Sequence, residues 1–401
     1  MNTASFVYDI ASSYDAFSRL RVSNPTTLFD TKLLYDNQPL LWDDMQIYGN
    51  GTTSTHNSNE ACVILSVSSN TLGARVRQTY ERFTYQPGKS QLVMMTGIIG
   101  SSSNGIIRRI GCFDSNDGLF FQSGPDDMYI VKRTSTSGTS VDVKIPQRDW
   151  NKEHLNETAM IRLNFDKAQI FYFNYEWLGL GDSCCGVVIG KKLIQLHQFY
   201  NANEATTVSF KNPNLPLRYE IINTGTGVAA NLKCVCGTVI SEGGQQNVGS
   251  IISLDRGRTA ISISDNNLHP VIAFRIYDFL NAVNIFIESI DIVTTTTNVV
   301  FRWGLYLNPT FNTTVTYTSY PNRYIEYNNS FTNSDTISGG RLLYSGYGVG
   351  TNSTITASQL GIKLTLGFSI TRQSDVMVLA IERLDNQTNT FYASLILRES
   401  T

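Results

Sequence analysis

The chain has 401 residues, of which 41% are hydrophobic and 16% charged, with a formal net charge of −2 at pH 7. That apolar share excludes a disordered chain. A charge so close to neutral gives no general attraction for a phosphate backbone or an anionic membrane, so neither nucleic acid nor membrane is an expected partner. The length exceeds what a single core fills, and two domains are expected.

The first residues, MNTASFVYDIASSYDAF, carry neither a basic region nor a long apolar run, so a secretory signal is not expected. No later run reaches the ~18 to 20 apolar residues of a membrane helix. The expectation is a protein made in a cytosol with its six cysteines reduced. The next stretch, RLRVSNPTTLFDTKLLYDNQPLLWDD (19–44), mixes arginines, turn formers and two prolines without a sustained helical or strand period. It predicts an extended N-terminal arm over residues 1–36.

Beyond the arm, a period of two dominates. ACVILSV and SQLVMMTGIIG read as strands covered on both faces. AMIRLNF places Ala159, Ile161, Leu163 and Phe165 on one side, and QIFYFNYEW does the same with Phe171, Phe173, Tyr175 and Trp177. KKLIQLHQFYNAN and YDFLNAVN are the only helical candidates. Near the end KLTLGFSI alternates, with Leu364, Leu366, Phe368 and Ile370 inward, and DVMVLAIERL and TFYASLILRE follow the same rule. Clusters such as DSNDG, TSTSGT, KNPNLP and NTGTG separate the runs at short intervals, which indicates sandwiches or barrels. SEGGQQNVGS (241–250) has no core residue and reads as a linker. The predicted fold class is therefore all-β, with two jelly-roll-like β-sandwiches over 37–242 and 251–401 after the arm.

Reactive side chains do not assemble into a motif of high specificity. Glu176 and Asp182 flank a Gly-rich turn and could form the acid and base of a glycosidase, though a structural carboxylate paired with an arginine is the commoner arrangement. The histidines His56, His154, His197 and His269 are scattered and suit core or interface roles better than general-base catalysis. Cys184-Cys185 and Cys234-x-Cys236 lack the usual spacing of structural zinc sites, and Cys62 and Cys112 read as small core residues. The turns FDSNDG and GPDDM offer oxygens to calcium, but Asx-turn chemistry accounts for Asp114, Asn116, Asp117 and Gly118 without an ion. No cofactor and no catalytic residue is expected. Arginines cluster beside aromatics, as in Arg75, Arg77 and Arg82 near Tyr80, Phe83 and Tyr85, and on a near-neutral chain this favours a protein interface over single-stranded nucleic acid.

The N-terminal 245 residues resemble a widespread family of β-rich virion structural proteins of tailed phages and large DNA viruses. The likeness is carried by the 19–44 stretch together with RVRQTYERFTYQPGKSQLV, GIIRRIGCFDSNDGLFFQ, FNYEWLGLG, HQFYNAN and NPNLPLRYEI. Cys184-Cys185 departs from that pattern, in which larger or basic residues follow the EWLGLG turn. The resemblance implies a virion component and brings no catalytic residue with it. The leading expectation is thus a non-enzymatic structural protein of the virion that associates with itself, a trimer being one candidate state, and with other virion proteins. Arg19, Arg21, Phe29, Asp30, Asn37, Trp42, Asp43 and Asp44 are its expected interface residues. The alternative is a receptor- or glycan-binding spike module using Trp303, Tyr327, Tyr344 and Tyr347 beside amide-rich loops. A polysaccharide-cleaving enzyme is the third reading.

Overall fold

A computed structural model describes residues 22–153, 163–246, 249–277, 283–350, 355–356 and 366–400. Fifteen strands build the first unit: β1 (Thr26–Lys32), β2 (Trp42–Gly49), β3 (Thr52–Asn57), β4 (Cys62–Val67), β5 (Gly73–Thr79), β6 (Gln91–Ile98), β7 (Ile106–Phe113), β8 (Gly118–Ser123), β9 (Met128–Thr134), β10 (Val141–Pro146), β11 (Gln169–Tyr175), β12 (Ser183–Ile189), β13 (Lys192–Phe199), β14 (Leu217–Asn223) and β15 (Ala230–Ser241). An eight-stranded sheet runs β13-β12-β11-β6-β15-β4-β3 with β1 also on β15, and a seven-stranded sheet runs β10-β9-β8-β7-β14-β5-β2. Their inner faces enclose one apolar core. Phe121 of β8 reaches across to Phe171 and Phe173 of β11, with ring centroids 4.8 and 5.7 Å away. Burying each such ring contributes roughly 1.5–3 kcal/mol. Tyr219 spans the same layer, its hydroxyl donating to the carbonyls of Thr96 and Cys236, both at 3.0 Å.

The second unit contains β16 (Ser250–Asp255), β17 (Ile261–Ile263), β18 (His269–Ile276), β19 (Asn284–Thr294), β20 (Val299–Leu307), β21 (Thr310–Phe311), β22 (Thr318–Ser319), β23 (Ile325–Asn328), β24 (Ile337–Ser338), β25 (Arg341–Gly350), β26 (Ile355–Thr356), β27 (Val376–Arg383) and β28 (Asn389–Ser400). Here a five-stranded sheet centred on β28 and β19 faces a six-stranded sheet ordered β22-β23-β18-β27-β20-β25, and a separate core lies between them. All ladder pairings are antiparallel, and among the described residues the only helical turn is the 3-10 segment Gln147–Asp149. The chain is an all-β protein of sandwich architecture.

In both units the first and last strands are neighbours, β1 on β15 and β16 on β28. A second tie joins the units. The hairpin formed by residues 366–375 leaves the second core and docks on the first sandwich: the Phe368 amide donates to the Tyr80 carbonyl at 3.0 Å, and the Ile370 amide donates to Asp43 Oδ2 at 2.7 Å.

Several expectations need correction. The arm does not extend to residue 36, because Thr26–Lys32 is a strand of the eight-stranded sheet and Phe29, Thr31 and Leu33 are buried. KKLIQLHQFYNAN contains strand β13, where pairing with β12 outweighs a spacing that also suits a helix. Of AMIRLNF, residues 159–162 lie outside the described residues, and Leu163 to Phe165 form no strand. In KLTLGFSI, Leu366 and Phe368 are buried as expected, Leu364 lies outside the described residues, and Ile370 sits in the docking hairpin. Most of YDFLNAVN (278–282) also lies outside the described residues.

Candidate ligand-binding groove

The end of β16, the turn after it, and the β22–β23 hairpin together border an open polar groove of about 530 Å³. Asp255, Arg258, Tyr320, Tyr327 and Asn329 line it. Each is placed by local chemistry. The carboxylate of Asp255 accepts from the Gly257 amide at 2.6 Å, closing an Asx turn that turns Arg258 outward. Asn329 donates its side-chain amide to the Asp255 carbonyl at 2.6 Å, stitching the two walls together. Tyr320 and Tyr327 lie with ring centroids 5.9 Å apart and planes tilted by 55°, and both remain half-buried. Arg256, which also lines the groove, is only 5% exposed. Its guanidinium donates to the carbonyls of Thr259, Val271 and Phe331 at 3.1, 3.1 and 2.9 Å. This pin holds three segments in register. Burial pulls its pKa down from the ordinary arginine value.

Two aromatic faces beside a carboxylate, an amide and a guanidinium can stack on an apolar ring face and hydrogen-bond hydroxyls around its edge. Of the four predicted glycan-binding residues, the structure brings only Tyr327 here. Trp303 is 2% exposed and belongs to the second core, with Tyr344 packed against it at 5.6 Å. It cannot serve as a platform. Tyr344 is spent on that contact, and Tyr347 is 69% exposed on the outer face of β25, away from the groove. Asp255, Arg258, Tyr320 and Asn329 went unrecognised. The pair Tyr320 and Tyr327 on either side of a turn was the available signal.

The expected interface residues have partners within their own chain. Arg19 and Arg21 lie outside the described residues. Phe29 and Trp42 are core residues, their rings 6.4 Å apart, and the Trp42 indole N–H donates to Thr31 Oγ1 at 3.2 Å. Asp44 pairs with Arg75 at 2.7 Å and Arg77 at 3.4 Å, Asp43 receives the docking hairpin, and the Asn37 carbonyl accepts from Arg77. Asp30 alone of the described six is exposed without such a role. What this segment does present is apolar: Leu34, Tyr35 and Leu40 are 47, 91 and 58% exposed. Gln38 braces the loop, donating its side-chain amide to the Lys32 carbonyl at 2.8 Å and accepting from Thr31 at 2.6 Å.

Of the candidate acid–base pair, Asp182 braces a turn. Asp182 accepts from the amides of Asn201 and Ala202 at 2.7 and 3.3 Å and from Gln198 Nε2 at 2.9 Å, while Glu176 is exposed on the same turn. The acidic turn at Asp114 is likewise filled by protein donors. Asp114 Oδ1 accepts from the amides of Asn116 and Asp117 at 2.6 and 3.0 Å, and Oδ2 meets Arg82 at 2.8 Å. Among the described residues no group of three His, Cys, Asp or Glu is placed to hold a metal, and all six cysteines are free thiols. His56 and His269 bond to backbone carbonyls, His197 accepts from a backbone amide, and His154 lies outside the described residues.

No family model matches the chain, and no curated protein matches it. Solved structures similar to it include the carbohydrate recognition domain of Emp47p, at 10% identity and TM-score 0.33 over 53% of this chain and 95% of that one. A glycoside hydrolase family protein from Mycobacterium thermorestibile matches at 10% identity and TM-score 0.36 over 53% and 99%. Peanut lectin matches at 9% identity and TM-score 0.31 over 55% and 98%. At such values the likeness says nothing of what this chain binds.

Proposed function

We propose that the chain is a non-enzymatic glycan-binding module whose second sandwich carries the ligand in the Tyr320–Tyr327 groove. One observation carries this reading: two tyrosine rings share an open polar groove with Asp255, Arg258 and Asn329, and the pin at Arg256 holds that arrangement before any ligand arrives. Preorganisation of this kind lowers the ordering cost of binding a polar ligand. A glycan array probed with the full chain tests it. The expected result is a defined set of positive glycans lost in Tyr327→Ala and in Asn329→Ala, with thermal stability retained. An empty array, or variants that bind as the parent does, would refute it.

A second reading places this module on a virion, with the first sandwich as its anchor. The resemblance of the N-terminal 245 residues motivates it, and the braced loop exposing Leu34, Tyr35 and Leu40 favours it, since grouped apolar side chains on a rigid loop suit a contact between subunits. Light scattering is expected to show a homo-oligomer that Tyr35→Asp with Leu40→Asp disrupts. A parent chain that stays monomeric at high concentration and fails to enter particles would rule this role out.

A further inference from the structure

We propose that the junction between the two sandwiches binds a compact oxyanion: sulfate, phosphate, or the carboxylate of an acidic sugar. Where the 366–375 hairpin docks, it roofs a cavity of about 200 Å³ over the seven-stranded sheet. This is smaller than the roughly 300–1,000 Å³ of pockets for drug-sized ligands, so its occupant is small. Arg82 and Arg218 come from the first sandwich and Arg372 from the second, joined by Gln78, Ser115 and Thr371.

The charges do not balance. Among the described residues Asp114 is the only carboxylate lining the cavity, and it meets Arg82 through one nitrogen, Nη1, at 2.8 Å. Arg82 is 6% exposed, and its Nε is a buried donor with no hydrogen-bond partner. A buried donor left in that state calls for an explanation, and a bound ion or water is one. Arg218 shares Glu220 with Arg109, both at 2.6 Å, so one carboxylate serves two guanidiniums. Arg372 Nη2 meets only neutral oxygens here, Ser115 Oγ at 2.8 Å and Asn116 Oδ1 at 3.0 Å. Its backbone has φ +64°, the left-handed conformation, in the turn of the hairpin. Burial and the neighbouring charges of Arg372 and Arg218 all work against the charged form of Arg82, an opposition that an anion would relieve. Planar guanidiniums match oxyanions through paired N–H donors, the geometry that makes arginine the residue of such sites.

The test is calorimetric titration of the full chain, in chloride buffer at constant ionic strength, with sulfate, phosphate, glucuronate, N-acetylneuraminate and neutral galactose. Saturable binding of at least one oxyanion is expected, and any galactose signal belongs to the groove and should vanish in Tyr327→Ala. The inorganic and sugar arms identify the source. Arg372→Asn, which tolerates the left-handed backbone, is expected to weaken binding at least tenfold. Arg372→Lys, which keeps the charge and loses the fork, should weaken it less. Tyr327→Ala should leave it unchanged, which separates this site from the glycan groove. Circular dichroism checks each fold, and Ser115→Ala serves as a milder second probe with a severalfold loss. If no oxyanion binds saturably, or if Arg372→Asn and Ser115→Ala bind as the parent does, the proposal fails. A sulfate effect equal in parent and variants is general salting-out and overturns it equally.

Discussion

His197 makes the first sandwich sensitive to acid. Its ring is 6% exposed, packs edge-on against Phe199 at 4.6 Å, and its Nδ1 accepts from the Asn151 amide at 3.3 Å. Burial, followed by the charges of Lys132 and Lys152, pushes its pKa from 6.5 down to about 4. Because the folded value is depressed, the unfolded chain takes up the proton first as pH falls. The stabilisation is complete above about 6.5 and drains away toward about 4. At ~1.4 kcal/mol per pH unit, the loss between about pH 7 and about pH 4.5 is ~2 kcal/mol. Urea unfolding followed by tryptophan emission in a Trp303→Phe background reports on Trp42, Trp150 and Trp177, all in the first sandwich. The parent should lose ~2 kcal/mol more than His197→Gln over that pH interval. Equal losses would refute the reasoning, because the imidazole would then be taking up its proton without cost in the folded chain.

Glu220→Gln removes the carboxylate that holds Arg109 and Arg218, both at 2.6 Å. A cost of about 3 kcal/mol is expected in the same unfolding assay, with the exposed Asp30→Asn as a control within about 0.5 kcal/mol of the parent. Those arginines hold the Glu220 carboxyl at about 2, below its ordinary 4.5, so its stabilisation is present above about 4.5 and lost as pH falls through about 2. Gly346→Ala is predicted to destabilise the second sandwich by about 1–3 kcal/mol, because a Cβ there would lie 2.8 Å from three atoms of the Trp303 indole. The cost should shrink when Trp303 is replaced by Phe, and a cost independent of residue 303 would show that the indole yields freely.

Strands β11 and β28 were legible from alternation, and β6 from a continuous apolar run that suits a strand covered on both faces, while β27 is buried on both faces where alternation was expected. β1 was legible in principle, since Phe29, Thr31 and Leu33 keep a period of two and are all buried, but Pro25 and Pro39 on either side gave it the look of an arm. β13 was obscured by Leu193 and Leu196 at helical spacing and by the irregularity in its pairing at Cys185/Gly186. The role of Trp303 depends on Gly346 opposite it, a pairing between distant segments that no local pattern records. The groove is nonlocal in the same way: Asp255, Tyr320 and Asn329 meet only because β16 and the β22–β23 hairpin are brought together by the sheets around them. Tyr327 was found through composition, whereas Asp255 and Arg258 had no comparable mark.

In each sandwich the opening strand and the closing strand lie side by side, Thr26 opposite Ser241 in one and Ser250 opposite Glu399 in the other. Entry and exit of each unit therefore coincide in space, the arrangement that lets a folded insert be spliced into a host loop without pulling its ends apart. Each sandwich is accordingly closed by its own first and last strands, and the 366–375 hairpin is a separate tie between the two.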